Sequence, residues 1–266
     1  MIFEGQRAVD SRLGQIELSP EVQAVDQQLK SNPDNAQLWM ERGLHLAAIN
    51  MQQEAVEAFS NAIALEPFAG IFYRHRGHRY LACWEFEQAR ADFVTATRLI
   101  PEDWDVWYHL GLCHYLFGEY EKAAKAYRAC YELSASDDKL IAVCDWYWMT
   151  LMRLGRKEEA QKLLDGIRTD MDAGANTAYY LQLLLYKGLK TPEELTQGVE
   201  DDLQAITRYY GLSNYYFFRG EMEKSNAVID QILQLGDKKW NTAFGYLAAR
   251  VDKCNRAALP ANRENV

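Results

Sequence analysis

Apolar and small residues recur along residues 36–137 at a fixed interval of 34 positions, with polar residues filling the places between them. Trp39, Tyr73 and Trp107 open three copies, and Gly43, Gly77 and Gly111 follow four positions later. Ala55, Ala89 and Ala123 come next, then the rings of Phe59, Phe93 and Tyr127, then Ala62, Ala96 and Cys130. Pro67 and Pro101 close the first two copies, and Ala135 stands where a third proline would fall. A repeat of this length marks a stacked architecture, because one helical hairpin cannot bury both of its apolar stripes and must share a core with its neighbours.

The order aromatic, small, small, ring, small, proline resembles that of the tetratricopeptide repeat family. The resemblance implies two antiparallel helices per repeat and an all-α fold, a right-handed α-solenoid of helical hairpins with capping helices at its ends. It also implies that the glycine and alanine columns let the two helices of a hairpin lie close together, while the rings fill the gaps between repeats. The likeness is specific over residues 36–137, weaker to Arg168 and faint beyond. Regular repeats followed by a shifted one and an aromatic-rich end also resemble, in architecture alone, bacterial lipoproteins of the NlpI type; those begin with an acylated cysteine, which this chain does not show.

Five stretches follow from this pattern. Residues 1–35 read as an arm and a capping half-repeat, since Ser19-Pro20-Glu21 is a helix start with a hydroxyl cap, proline at the first position and an early acid. Residues 36–137 hold the three regular repeats. Gly155 and Ala160 match Gly118 and Ala123 at a separation of 37, so residues 138–172 read as a fourth repeat shifted by an insertion. Residues 173–254 read as divergent helical repeats: a first helix at Tyr179–Lys187, a capped start at Thr191-Pro192, a pair at Ile206–Arg219 and Met222–Leu235, and a final cap at Trp240–Val251. The polar tail 255–266 reads as mobile.

Composition narrows the function. A hydrophobic content of 48% supports a continuous core, and a net charge of −9 argues against a phosphate-backbone partner, so no nucleic acid is expected. No apolar run is long enough to cross a bilayer and no signal peptide is evident, which predicts no membrane partner and a cytoplasmic, bacterial-type protein. The five cysteines show no CxxC pair, and the five histidines no HExxH, so packed thiols, no metal site and no cofactor are expected. His114, at a core aromatic position, reads as a satisfied core histidine.

The resemblance places a groove along the first helices, lined by positions 2, 5, 9 and 12 of each repeat and bordered by position 6. That selects Arg74 and His78 in the second repeat with His75 at the border, Tyr108 with His109 in the third, and Asp145 with Trp146 in the fourth. Arg74, Tyr108 and Asp145 occupy one slot in successive repeats, which predicts a row across the groove with His78 one turn along. The stretch Tyr73–Tyr80 carries three arginines and two histidines in an acidic chain. It reads either as a solvated helix, with Arg76 and Arg79 pairing with Glu66, Asp103 or Glu102, or as an anion-recognising patch. The Lys/Asn clamp that the family uses for a peptide C-terminus is absent from the matching slots. Tyr210, Asn214, Phe217 and Phe218 would extend an apolar floor.

The expectation is a non-catalytic adaptor whose groove binds a peptide or protein partner. One alternative is a small anionic or sugar-like ligand, with Asp145, His78 and Tyr108 as a catalytic set. Another is a peptide-sensing regulator without a DNA-binding domain. An apolar edge near Trp240–Val251 is compatible with a homodimer.

Overall fold

The computed structural model describes residues 11, 14–199, 201–236 and 240–258. Among them are fourteen α-helices, one 3-10 turn and no strand. The chain forms two compact units, one running to Cys113 and the other from His114 onward, so the boundary falls inside a helix.

The first unit contains α1 (Pro20–Ser31), α2 (Ala36–Ala48), α3 (Gln52–Leu65), α4 (Gly70–Ala82), α5 (Phe86–Leu99) and most of α6 (Trp104–Leu116). The Ser19 hydroxyl accepts from the Val22 amide at 3.4 Å and Asn35 Oδ1 from the Leu38 amide at 3.2 Å, the side-chain caps that let α1 and α2 start where they do. Within a hairpin the helices approach closely. A Cβ on Gly43 would lie 2.7 Å from the Phe59 ring, and one on Gly77 would lie 2.9 Å from Phe93. The glycine and ring columns are therefore two sides of one contact.

The opening aromatic of each repeat reaches back to the proline that precedes it. Trp39 Nε1 donates to the Pro33 carbonyl at 2.8 Å, the Tyr73 hydroxyl to Pro67 at 3.1 Å and Trp107 Nε1 to Pro101 at 2.7 Å. The period is thus carried by hydrogen bonds as well as by packing. The turns inside the hairpins repeat too: Asn50 and Trp84 take φ of 61° and 65° in the slot filled further on by Gly118, Gly155 and Gly220. A tryptophan there is sterically costly, and Trp84 is held in place by burial at 9% exposure.

The second unit holds α7 (Tyr120–Glu132), α8 (Asp137–Arg153), α9 (Lys157–Asp165), a 3-10 turn (Gly174–Asn176), α10 (Thr177–Tyr186), α11 (Pro192–Thr196), α12 (Asp202–Phe218), α13 (Met222–Gly236) and α14 (Phe244–Ala258). Thr191 and Glu194 form a capping box at the start of α11, and Asp201 caps α12 through the Gln204 amide at 2.8 Å. Helix α8 packs on α7, α9 and α10, and α12 on α10, α13 and α14. Residues 255–258, expected in a tail, continue α14; the rest of that tail lies outside the described residues. No helix among the described residues is long and apolar enough to cross a membrane.

Candidate functional site

The arginine and histidine stretch of α4 divides into two roles. Arg76 makes a bidentate pair with the buried Asp92 of α5, both contacts at 2.7 Å, and Arg79 donates to Gln52 at 3.1 Å. These bonds tie neighbouring helices together, and the partners differ from the expected Glu66, Asp103 and Glu102. Arg74 and His78 sit one turn apart and point elsewhere.

Both meet the first turn of α6. Asp103 caps that helix, its Oδ1 accepting from the amides of Asp105 at 2.9 Å and Val106 at 3.3 Å. Its Oδ2 accepts from Arg74 at 3.3 Å, while Asp105 Oδ2 accepts from Arg74 Nε at 2.9 Å and lies 2.6 Å from His78 Nε2. One turn on, His109 Nδ1 is 2.8 Å from the Asp105 carbonyl oxygen and 3.4 Å from its Oδ1. The His78 and His109 rings are 4.1 Å apart, with Phe93 5.5 Å from each. Arg74, His78 and Asp105 are each between a fifth and a third exposed, and His109 is buried.

The electrostatics follow from this crowding. Burial opposes the Asp105 charge, but hydrogen bonds from His109 and His78 outweigh it and hold the carboxyl well below the usual carboxylate range. Burial and then the neighbouring His109 pull His78 down to about 4. Burial and then Arg74 do the same to His75, whose ring stacks on Phe59 at 5.5 Å. At neutral pH these two imidazoles are uncharged. The Arg74 guanidinium then faces two carboxylates, Asp103 and Asp105, with the Arg79 charge also near His78. The expected anion-recognising arginine is already engaged by two acids.

The remaining expected residues lie differently. Tyr108 is 6% exposed and stacks on Trp104 at 4.8 Å. Asp145 and Trp146, expected at an open groove, are 0% and 1% exposed within α8 of the second unit. Burial raises the Asp145 carboxyl well above its ordinary value, so it is a neutral acid sealed in the core and is not available as a base toward a substrate. The reason is that this part of α8 is covered: Ala142 and Met149, two of the other three groove slots of that repeat, are buried too, and Met152 is partly exposed. His114 is buried with Nδ1 2.6 Å from Glu119, as a satisfied core histidine would be.

The residues of the expected apolar floor instead build a polar network. Arg153 Nη2 donates to Asn214 at 2.9 Å and to Asp252 at 2.7 Å. Tyr210 donates to Asp252 at 3.2 Å and meets the Tyr115 hydroxyl at 3.0 Å. Phe217 and Phe218 lie against the Arg153 guanidinium at 4.6 and 5.5 Å. Asp105, Arg153 and Asp252 carry these arrangements; Asp105 holds position 2 of its repeat, one of the groove slots, and its place two residues after the Asp103 cap is a further signal.

Comparison with known proteins agrees with the fold. The family model described as tetratricopeptide repeat matches residues 22–70 and 76–138. The match covers a little over two fifths of the chain, and it is that stretch that is similar to tetratricopeptide repeats. Anaphase-promoting complex subunit 3 of Schizosaccharomyces pombe is 24% identical over 113 residues, 42% of this chain and 17% of that relative's length. Among solved structures, a tetratricopeptide repeat protein from Parabacteroides merdae is similar with a TM-score of 0.58 and 15% identity, over 87% of this chain and 91% of the other. YrrB, described as a TPR protein with an unusual peptide-binding site, gives 0.53 and 18% identity over 87% and 99%. At these identities the structures establish a shared fold, that of the helical-hairpin solenoid class.

Proposed function

We propose that this chain is a non-catalytic adaptor that holds a peptide or protein partner on the first helices of its regular repeats. The observation that carries the reading is the partly exposed Arg74–His78–Asp105 cluster on α4 and α6, with Leu44 of α2 exposed at 40% in the slot matching His78 one repeat earlier. An exposed apolar side chain beside a polar cluster of fixed geometry suits an extended segment, with a pocket for one side chain and an anchor for another. The part-exposed carboxylates Asp103 and Asp105 favour a segment that brings a lysine or arginine. YrrB, a fold relative, is itself described as binding peptide.

The test is fluorescence anisotropy with basic, neutral and acidic peptides of matched length. Basic peptides bind the wild type, and Asp105→Asn and Leu44→Asp each weaken them about tenfold, about 1.4 kcal/mol. The reading fails if no peptide class binds or if both variants bind like the wild type. Stabilisation by sugars or phosphorylated metabolites and not by peptides would move the assignment to a small-ligand site.

A further inference from the structure

We infer that His78, Asp105 and His109 form a binding site for a divalent transition-metal ion of the zinc type. Two ring nitrogens and a carboxylate oxygen, one from each residue, all lie within 4.8 Å of one another. Zinc bonds of about 2.0–2.2 Å in a tetrahedron place donor atoms roughly 3.3–3.5 Å apart. His78 Nε2 and Asp105 Oδ2 stand 2.6 Å apart, closer than that spacing, and the 4.8 Å limit on all three donors lies somewhat beyond it, so small side-chain shifts reach a tetrahedral site; His109 Nδ1 donates to the Asp105 carbonyl at 2.8 Å, which leaves its other ring nitrogen for the ion. An ion takes the place of the proton shared by His78 and Asp105 and spreads those two atoms by less than about 1 Å.

The donors are held before any ion arrives. Asp105 and His109 are four residues apart on one helical face, and His109 is fixed between the ring of Phe93 at 5.5 Å and that of Tyr108 at 5.2 Å. Phe93 also meets the His78 ring edge-on. Arg74 donates to Asp105, and Asp103 balances the Arg74 charge, so the carboxylate is oriented by an outer hydrogen bond. Two imidazoles and one carboxylate suit zinc, cobalt or nickel better than the all-oxygen demands of calcium or magnesium. Three protein donors leave a fourth position for water or for a donor brought by a partner. The partial exposure of His78 and Asp105 gives the ion a way in.

This goes beyond the adaptor reading and does not depend on it, because the probe is the metal alone. Cobalt(II) is titrated into the full chain, followed by its visible ligand-field absorption, and zinc then displaces it. The expected result is one ion per chain with a tetrahedral spectrum. His78→Gln and Asp105→Asn should each weaken binding by more than the 10–100-fold typical of outer-ligand changes. Arg74→Ala should weaken it within that range, and His75→Gln should leave it unchanged. Circular dichroism checks folding, and His78→Gln, at a half-exposed position, decides if Asp105→Asn fails to fold. Absence of the cobalt spectrum, or binding that both ligand variants leave intact, overturns the site. Peptide binding measured with and without chelator reports separately on the adaptor reading.

Discussion

The two units each join an arginine to an aspartate on a neighbouring helix, with opposite settings. In the first, Arg74 bridges Asp103 and Asp105 with its side chain 30% exposed. In the second, Arg153 holds Asp252 with the two side chains 10% and 3% exposed. Water screens the first pair and leaves its groups able to exchange partners. The second is cut off from water, so each charge depends on the other and on Asn214, Tyr210 and the faces of Phe217 and Phe218. The same chemistry serves as a contact surface in one place and as a fastening between α8, α12 and α14 in the other.

The largest effect should therefore come from the buried pair. Arg153→Met leaves the buried Asp252 with only the longer Arg256 contact at 3.8 Å and should destabilise the chain by about 3 kcal/mol in urea denaturation. Arg74→Met should cost less than about 1 kcal/mol. Equal losses would break the contrast.

A smaller, pH-dependent effect belongs to Asp145. Its folded pKa is raised above 3.8, so its favourable contribution is complete below that value and is lost as pH rises toward the folded pKa. Asp145→Asn removes the penalty of ionisation. The variant should melt above the wild type at about pH 8, with the gap closing toward about pH 4. A gap that does not change with pH would show that this carboxyl is ionised in the fold.

A third effect is expected at the part-exposed cluster in acid, where partial access to water reduces it. His75 and His78 have folded pKa values of about 4 against an ordinary 6.5. The unfolded chain takes up their protons first, so stability is complete above about pH 6.5 and falls between there and pH 4. Asp105, held lower still, stays ionised through that window. His75→Gln combined with His78→Gln should flatten the decline in denaturation midpoints. An unchanged slope would mean that the two imidazoles sit in water.

Much of the architecture was legible in the residues. Gly43 with Phe59 and Gly77 with Phe93 are contacts that recur at 34 because every hairpin faces the same close approach. Ser19, Thr191 and Pro192 marked helix starts because capping is a local interaction. The site was legible only in part. Arg74, His78 and His109 stood out by type and register, yet Asp105, which joins them, was noted only as a groove position. Asp145 and Trp146 were assigned to a groove by extending the register into α8, which α7, α9 and α10 pack against. Arg153 and Asp252 are 99 residues apart, and no periodicity connects them.

The sequence by itself determined the hairpins of residues 36–137, their period and the capped starts of α1 and α11, because those depend on interactions between residues near in the chain or related by the repeat. Only the tertiary structure decided which polar residues meet water. Arg74 and Arg153 are the same side chain with the same kind of partner, and their difference lies in the helices packed around them. Burial is set by distant segments through the desolvation of charge, and a repeat pattern carries no record of it.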